Sequence, residues 1–368
     1  MKIGVLFPGQ GAQSIGMGKD LYENYQEVRD IYENVHKITG VDIKKITFDG
    51  TEQELSKTQN TQIAVLTMSL AILKLLEKKG INAEISAGLS LGEYTALIYS
   101  KCISFEDGVE LVKKRGEYMQ NLLPEGDWAM AAILGLEDEK VEEVCKKVVD
   151  GFVVPVNYNT QGQVVISGEK TAVEQAEIIA KEMGAKKVRI LKTSGPFHTK
   201  KLIEASNALR KDLEKININK FKTKVVKNIN GDIYKDEENI KDILAEHMIS
   251  PVKFSKCLET MLKMGIDTFV EIGPGKTLSG FVKRIKTEKE IKIYNICDVK
   301  SLENTLKELE KEYVIESIRE SSDANLTKMD LQMIEYLLTT NANLTAKDLA
   351  TTYNHYNDSK RANIIIEE

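Results

Sequence analysis

The chain has 368 residues, of which 42% are hydrophobic and 29% are charged. This balance is typical of a folded globular protein and excludes a fibrous or disordered one, and the length predicts two domains or one large domain with an insertion. The formal net charge of -5 disfavours nucleic acid as the main partner. No apolar run approaches the roughly 20 residues of a bilayer span, and the run from Ile3 to Phe7 is too short for a signal peptide, so we expect a cytoplasmic protein without membrane binding.

The N-terminal part of the chain alternates between strand and helix patterns. A short buried strand from Ile3 to Phe7 ends at Pro8-Gly9, and a glycine-rich loop through Gly18 leads into one amphipathic helix. The apolar positions of that helix are Leu21, Tyr25, Val28, Tyr32 and Val35. A second helix from about Thr61 to Lys78 is apolar nearly all round, as expected for a buried layer of an α/β fold.

Ser90 lies in the pattern Gly88-x-Ser90-x-Gly92 of a nucleophile elbow, in which glycines permit a sharp turn between a strand and a helix. By itself the pattern also suits an ordinary turn serine. Here the residues from Glu84 to Ala87 form a predicted strand and residues 91–100 have a helical composition, which favours the elbow. Such a turn exposes the serine hydroxyl and aims the backbone N–H of Leu91 at a developing oxyanion.

Arg115 falls on the apolar stripe of a helix that is predicted to start near Ser104. A buried charge that lacks its partner costs about 3–5 kcal/mol, so an inward-facing guanidinium must be paired. One interpretation is a structural salt bridge. The other is that its planar fork binds a carboxylate on the substrate.

The pattern changes between residues 128 and 192, where the predicted order is β-α-β-β-α-β. This order is that of a ferredoxin-like unit, which closes on itself and can be inserted into a larger domain. The predicted elements are strand Trp128 to Leu134, helix Glu137 to Val149, strands Phe152 to Asn157 and Gln163 to Ser167, helix Thr171 to Met183, and strand Lys187 to Leu191.

A serine nucleophile needs a base, and the chain has four histidines: His36, His198, His247 and His355. His36 lies in a charged amphipathic helix and His355 near the C-terminus, so we expect both at the surface. His198 follows Gly195-Pro196-Phe197, which restricts the backbone just before a predicted helix. His198 is therefore the candidate general base, with a purely structural histidine as the alternative.

After Pro196 the α/β pattern resumes, with a strand near Val225 and another from Thr268 to Ile272 that ends in Gly273-Pro274-Gly275. We therefore predict an α/β fold in which residues 1–127 and 193–312 form a discontinuous catalytic subdomain and residues 128–192 a smaller inserted one. Residues 313–368 form a C-terminal helical appendage of unknown role, with patterns around Leu331 to Leu338 and from Thr345. The appendage is not basic, which favours packing or interaction over binding of nucleic acid.

Nucleotide and metal sites find little support. Ser14 stands where the dinucleotide fingerprint beginning at Gly9 requires glycine, and Val270 stands where a P-loop ending at Gly275-Lys276-Thr277 requires it. The cysteines lack C-x-x-C pairing, so we expect free buried thiols and no metal. They are Cys102, Cys145, Cys257 and Cys297.

Taken in order, these residues resemble bacterial malonyl-CoA:acyl-carrier-protein transacylases and, more broadly, polyketide acyltransferase domains. The likeness covers about residues 1–310. Besides the elbow with Glu93-Tyr94, it rests on Phe7-Pro8-Gly9-Gln10-Gly11-Ala12-Gln13, Arg115-Gly116, Asn157-Tyr158-Asn159, Pro196-Phe197-His198, Ser250-Pro251-Val252 and Glu271-Ile272-Gly273-Pro274-Gly275. It implies an α/β-hydrolase-like large subdomain with a ferredoxin-like insertion.

The resemblance also implies roles for individual residues. Ser90 forms the acyl-enzyme, His198 is its base, the backbone amides of Gln10 and Leu91 form the oxyanion hole, and Arg115 binds the malonyl carboxylate. Asn159 and His247 are implied at the substrate site. The implied reaction moves malonyl from coenzyme A to the phosphopantetheine thiol of acyl carrier protein without an enzyme-bound cofactor, and we expect a monomer.

Two positions depart from the family's usual pattern. Leu89 replaces a frequent histidine, with little expected effect because that residue is neither nucleophile nor base. His247 replaces a glutamine whose backbone carbonyl commonly orients the catalytic histidine. Histidine has the same backbone carbonyl, so this contact is expected to remain, whereas the contacts of the side chain become uncertain. His247 is also conceivable as the base, although no local feature favours it over His198.

Several alternatives stay open. The same chemistry could serve a polyketide pathway or another acyl group, and a serine esterase or thioesterase could use Ser90 and His198 with water as the acceptor. A non-catalytic carrier-protein-binding module is disfavoured because Ser90, His198 and Arg115 are all present. An acidic carrier protein would bind a basic surface, and ordinary solvated charges explain the same residues equally well. The candidate basic residues are Lys186, Lys187, Arg189, Lys192, Lys200, Lys201, Lys283, Arg284 and Lys286.

Overall fold

The computed structural model describes residues 1–192 and 195–321. The chain divides into two units, one of Lys2–Val299 and one that joins Met1 to Lys300–Glu368. The strands of the described residues are β1 (Ile3–Phe7), β2 (Ile85–Gly88), β3 (Trp128–Leu134), β4 (Val153–Thr160), β5 (Gln163–Glu169), β6 (Lys187–Ile190), β7 (Lys224–Val226), β8 (Thr268–Ile272) and β9 (Lys292–Ile296).

Helices cover or connect these strands within the first unit. They are α1 (Lys19–Asn24), α2 (Gln26–Thr39), α3 (Glu52–Leu55), α4 (Thr58–Lys78), α5 (Gly92–Tyr99), α6 (Phe105–Asn121), α7 (Asp138–Lys147), α8 (Lys170–Glu182), α9 (Ile203–Leu213), α10 (Ile240–His247), α11 (Phe254–Lys263) and α12 (Thr277–Val282). A π-helical turn, Lys45–Asp49, and a 3-10 turn, Lys200–Leu202, complete the set. None of these described helices, nor α13 (Val299–Ser321), is long and apolar enough to cross a bilayer.

A five-stranded parallel sheet in the order β7-β2-β1-β8-β9 forms the centre of the first unit. Its inner strands β1, β2 and β8 are buried along their whole length, as expected for a sheet covered on both faces. On one side, α11 and α12 pack apolar side chains such as Phe254, Leu258 and Phe281 against it. Because these strands are parallel, the carboxyl ends of β1, β2 and β7 meet at one edge of the sheet. This edge is where an open α/β sheet binds its ligands.

The second sheet is antiparallel, with four strands in the order β4-β5-β3-β6. Together with α7 and α8 it encloses a separate apolar core that contains Ile133, Val144, Ile166 and Ala176. Backbone bonds join it to the rest of the unit, since Tyr158 N–H donates to Val252 O at 2.8 Å and Val252 N–H donates to Val156 O at 2.8 Å. The fold is thus a mixed α/β fold with a parallel sheet and a small antiparallel sheet, and the predicted β-α-β-β-α-β order of residues 128–192 is confirmed.

Several sequence predictions differ from the structure. The single helix predicted from Leu21 to Val35 is wrong, because Tyr25 adopts an extended conformation (φ -125°, ψ 127°) and separates α1 from α2. The apolar repeat continues across the break, which is why periodicity alone did not reveal it. Strand β4 extends to Thr160, beyond the predicted Asn157, and Cys297 is half-buried whereas the other three free thiols are buried.

The second unit contributes the greater part of α13 (Val299–Ser321) to the described residues. The helical patterns predicted around Leu331 to Leu338 and from Thr345, as well as His355, lie outside the described residues.

Candidate active site

Ser90 sits on a tight turn between β2 and α5, beside the end of β1. Phe7 pairs with Gly88, and Ser90 has a left-handed backbone (φ 52°). A Cβ on Gly88 would lie 1.9 Å from the carbonyl carbon of Gly92, and a Cβ on Gly92 would lie 2.1 Å from Phe7 O. Both glycines are therefore required by close backbone approach, and the predicted strand–turn–helix context of Ser90 is confirmed.

His198 lies beside Ser90, although the two residues are 108 positions apart in the chain. The Ser90 Oγ and His198 Nε2 atoms are 2.7 Å apart, and His198 Nδ1 lies 3.1 Å from the backbone oxygen of His247. Because a carbonyl can only accept, the hydrogen belongs on Nδ1, which leaves Nε2 as the acceptor for the serine hydroxyl. This is the bonding pattern of a serine that a general base activates.

Burial and, to a smaller extent, the positive charge of Arg115 lower the pKa of His198 to about 4. The side chain is only 4% exposed, so water does little to stabilise an imidazolium there. His198 is therefore neutral at neutral pH and able to accept a proton.

The Arg115 guanidinium is buried next to the nucleophile. Its side chain is 1% exposed, Nη2 donates to Ser90 Oγ at 3.0 Å, and Nη1 donates to Gln62 Oε1 at 2.7 Å. The Arg115 side chain also lies over the ring of Tyr94, 5.4 Å from its centroid. Among the described residues, Nε has no hydrogen-bond partner and no carboxylate lies within 4.0 Å of the guanidinium. The structural salt bridge considered for Arg115 is thus absent from this part of the chain, and the cation is available to an anionic ligand.

His247 has a fully buried side chain whose ring centroid lies 5.3 Å from that of His198. Its backbone oxygen orients His198, whereas neither ring nitrogen has a hydrogen-bond partner among the described residues. The nearest acidic group is Glu93, with Oε2 3.6 Å from His247 Nδ1. Burial lowers the pKa of His247 well below its usual value and raises that of Glu93 to about 7, so the contact is not an ion pair at neutral pH.

Gln10 and Leu91 follow two neighbouring parallel strands, β1 and β2. In the described part of the chain, the backbone N–H groups of both residues donate to no protein acceptor. The Gln10 side chain makes one long bond, from Nε2 to Thr58 Oγ1 at 3.4 Å. Two unoccupied backbone donors at the edge that carries Ser90 are what an oxyanion site requires.

Asn159 lies on β4 and is not brought into the hydrogen-bond network of Ser90 and His198. It is 5% exposed, and its Oδ1 has no partner among the described residues. The preceding residue, Tyr158, bonds to Val252, five residues beyond His247, so β4 flanks the segment that orients His198.

Two residues that contact the site were missed by sequence reasoning. Gln62 is a polar position on the otherwise apolar α4, and Asn228 follows the parallel strand β7 at the same sheet edge as Ser90. Asn228 Oδ1 accepts the Ser90 N–H at 2.7 Å. A polar residue two positions beyond the end of a largely buried strand was the available signal in the case of Asn228.

A serine hydroxyl with a neutral imidazole, free backbone donors and a buried cation defines a site for nucleophilic acyl transfer. The model of the acyl transferase domain family matches residues 5–340, and the chain belongs to this family.

The chain is 39% identical over 313 residues to the malonyl CoA-acyl carrier protein transacylase of Bacillus subtilis, a match that covers 84% of this chain and 98% of that protein. A crystal structure of the Clostridium perfringens malonyl CoA-acyl carrier protein transacylase is similar, with 44% identity, a TM-score of 0.81, and coverage of 86% and 99% of the two chains. A malonyl-transacylase in complex with a type II polyketide acyl carrier protein is 36% identical, with a TM-score of 0.80 and coverage of 84% and 100%.

Proposed function

We propose that this enzyme transfers a malonyl group from malonyl-CoA to the phosphopantetheine thiol of holo-acyl carrier protein through an acyl-enzyme on Ser90, and that it supplies fatty-acid biosynthesis. The observation that carries the proposal is the buried Arg115, 3.0 Å from Ser90 Oγ and without a carboxylate partner among the described residues. Such a cation matches the free carboxylate of a malonyl thioester. The names of the relatives independently support the same acyl group and the same acceptor.

The first half-reaction loads Ser90. His198 Nε2 takes the hydroxyl proton as Oγ attacks the thioester carbonyl, and the N–H groups of Gln10 and Leu91 stabilise the tetrahedral oxyanion. The carbon–sulfur bond then breaks, and coenzyme A leaves with the proton from His198. The His247 carbonyl holds Nδ1–H throughout, so it fixes both the tautomer and the ring orientation.

The second half-reaction unloads the serine. The carrier-protein thiol gives its proton to His198 and attacks the acyl ester, and the Ser90 oxygen leaves and regains that proton. The acyl group passes from the coenzyme A thiol to Ser90 and then to the carrier-protein thiol, so the kinetics are ping-pong and no enzyme-bound cofactor is needed. Because the two thioesters are nearly equal in energy, the enzyme supplies positioning and an oxyanion site, of which one donor is worth about 2.7–4 kcal/mol.

The finer architecture belongs to the same proposal. Residues 1–127 and 193–312 form an α/β-hydrolase-like subdomain and residues 128–192 a ferredoxin-like one, with residues 313–368 as an appendage. The three buried free thiols fit a reducing compartment, and we place the enzyme in the cytoplasm as a monomer. We propose that the acidic carrier protein binds to exposed basic residues of the enzyme. These residues are Lys186, Lys187, Arg189, Lys192, Lys200, Lys201, Lys283, Arg284 and Lys286.

A polyketide carrier protein is the second candidate acceptor. It is favoured by the similarity to the transacylase that was solved with a type II polyketide carrier protein. The chemistry at Ser90 is the same for both acceptors, so only the identity of the carrier distinguishes these functions.

The test is to incubate the enzyme with malonyl-CoA, acetyl-CoA or methylmalonyl-CoA and to follow intact protein mass, with and without holo-carrier protein. We expect a malonyl adduct that carrier protein removes faster than water does. No adduct from any thioester would refute the acyltransferase assignment, and faster removal by water would indicate a thioesterase.

The matched variant is Arg115→Ala. Malonyl loading should fall by at least about 10-fold, since a charge-assisted hydrogen bond is worth about 1.5–3 kcal/mol. Acetyl loading, measured in parallel, should stay constant or rise. Equal losses for both thioesters would contradict the proposed role of Arg115 in recognising the carboxylate.

A further inference from the structure

We propose that Asn228 is a positioning residue whose side-chain amide holds the backbone of the nucleophile turn and thereby sets the reactivity of Ser90. The inference rests on the proposed function for its main assay. It assigns Asn228 no contact with the substrate.

The Asn228 side chain bridges two backbone groups that flank the nucleophile. Its Oδ1 accepts the Ser90 N–H at 2.7 Å, and its Nδ2 donates to Gly88 O at 2.8 Å. Asparagine offers a donor and an acceptor on one rigid plane, so a single side chain satisfies both groups. The turn between β2 and α5 is therefore held by the side chain of Asn228 as well as by its own glycines.

Asn228 is itself held at every polar atom. It is fully buried; its backbone N–H donates to Glu93 Oε2 at 3.0 Å, and its carbonyl accepts from Lys253 N–H at 2.7 Å. Tyr234 in turn donates to the other oxygen of Glu93 at 2.5 Å. A residue bound at all four polar atoms has little freedom, so its amide can impose a position on Ser90.

Ser90 needs such support because its φ of 52° is a conformation that non-glycine residues rarely adopt. The hydroxyl lies 2.7 Å from His198 Nε2 and 3.0 Å from Arg115 Nη2. A displacement of about 1 Å at a reacting group can cost about 100-fold in rate. Loss of the Asn228 bonds should therefore slow acylation without removing any group that binds the acyl thioester.

Single-turnover loading separates positioning from folding. The amplitude of malonyl loading counts the molecules with a folded site, whereas the rate constant reports the geometry of Ser90 in those molecules. For Asn228→Ala we expect a rate constant about 10- to 100-fold lower, with little change in the malonyl-CoA concentration that gives half of the maximal rate constant. A reduced amplitude at the wild-type rate constant would overturn the proposal, because Asn228 would then serve only the fold.

Two further variants complete the design. Asn228→Asp keeps the volume and an acceptor for Ser90 N–H but cannot donate to Gly88 O when ionised, so its rate constant should also fall. Asn230→Ala is the matched control: this exposed residue lies on the same turn, bonds Asp232 and should load like the wild type. Failure of both Asn228 variants to fold, or wild-type rate constants in either, would overturn the proposal.

The labelling rate of Ser90 by phenylmethanesulfonyl fluoride gives a readout that does not depend on malonyl-CoA. There the serine oxygen displaces fluoride from sulfur, and the proton passes to His198. The same ordering of variants is expected. If the wild type is sulfonylated but not malonylated, the proposed function fails while the role of Asn228 is still tested.

Discussion

At the scale of single residues, the nucleophile and its base share an unusual backbone. Ser90 and His198 are two of the three non-glycine residues with positive φ in the described part of the chain, the third being Lys101. Each such residue costs about 1–3 kcal/mol and persists only where its surroundings enforce it. For Ser90 the surroundings are the glycines and Asn228, and the carbonyl of His247 holds the side chain of His198. The backbone conformations that bring the two side chains within 2.7 Å of each other thus lower the stability of the fold.

The pKa of His198 makes a prediction for the pH dependence of loading. With a pKa of about 4, below the ordinary 6.5, the imidazole stays neutral in the folded enzyme until the pH falls through about 4. The kcat/KM for malonyl loading should therefore rise as pH increases through about 4 and be level from about 5 to 7.

The control is Arg115→Ala, measured with acetyl-CoA, for which Arg115 has no carboxylate to bind. Removal of the positive charge should shift the acid limb to higher pH, since Arg115 helps to lower the pKa of His198. A wild-type limb near pH 6.5 that the variant leaves in place would contradict this account of the base.

At the scale of secondary-structure elements, the close packing of α6 on α4 places Arg115 beside Gln62. A Cβ on Gly116 would lie 2.9 Å from Gln59 Cα, which is too close for an ordinary contact. Gly116→Ala should push the helices apart and lower the free energy of unfolding, measured in urea, by about 1–3 kcal/mol. Malonyl loading should weaken as well, because Arg115 is the adjacent residue.

Gly280 in α12 provides the matched control, because a Cβ there would meet nothing within 4 Å. Gly280→Ala should leave loading unchanged and raise the free energy of unfolding by about 0.4–1 kcal/mol, through helix propensity and reduced freedom of the unfolded chain. Equal effects of the two substitutions would show that helix approach at Gly116 is unimportant.

Local patterns predicted most of these elements. The strands from Ile3 and Thr268 follow from short apolar runs that end at glycine and proline, and α6, which starts just after Ser104, follows from its apolar stripe. The break at Tyr25 and the role of Asn228 were missed. Asn228 reaches Ser90 only because β7 pairs with β2 across about 140 residues, and no local pattern encodes that pairing.

At the scale of the whole molecule, the two sheets of the described residues contribute to the site in different ways. The parallel sheet gathers Ser90, Asn228 and the loop after β1 at one edge, and the antiparallel sheet borders the segment after His247 through Tyr158 and Val252. The sequence predicted the strands β1, β2, β7 and β8 of the parallel sheet and the β-α-β-β-α-β order of the antiparallel one, but it missed the edge strand β9. It did not predict the bonds between the two sheets, which depend on the final packing.

In the proposed reaction, the acyl group passes through Ser90. The most direct measurement is peptide mapping by mass spectrometry after brief exposure to malonyl-CoA, for the wild type and Ser90→Ala, followed by a chase with holo-carrier protein. We predict one malonyl group on the peptide that contains Ser90, its loss to carrier protein in the chase, and no label in the variant. Transfer to carrier protein by Ser90→Ala at the wild-type rate, or a malonyl group on another residue, would contradict the account.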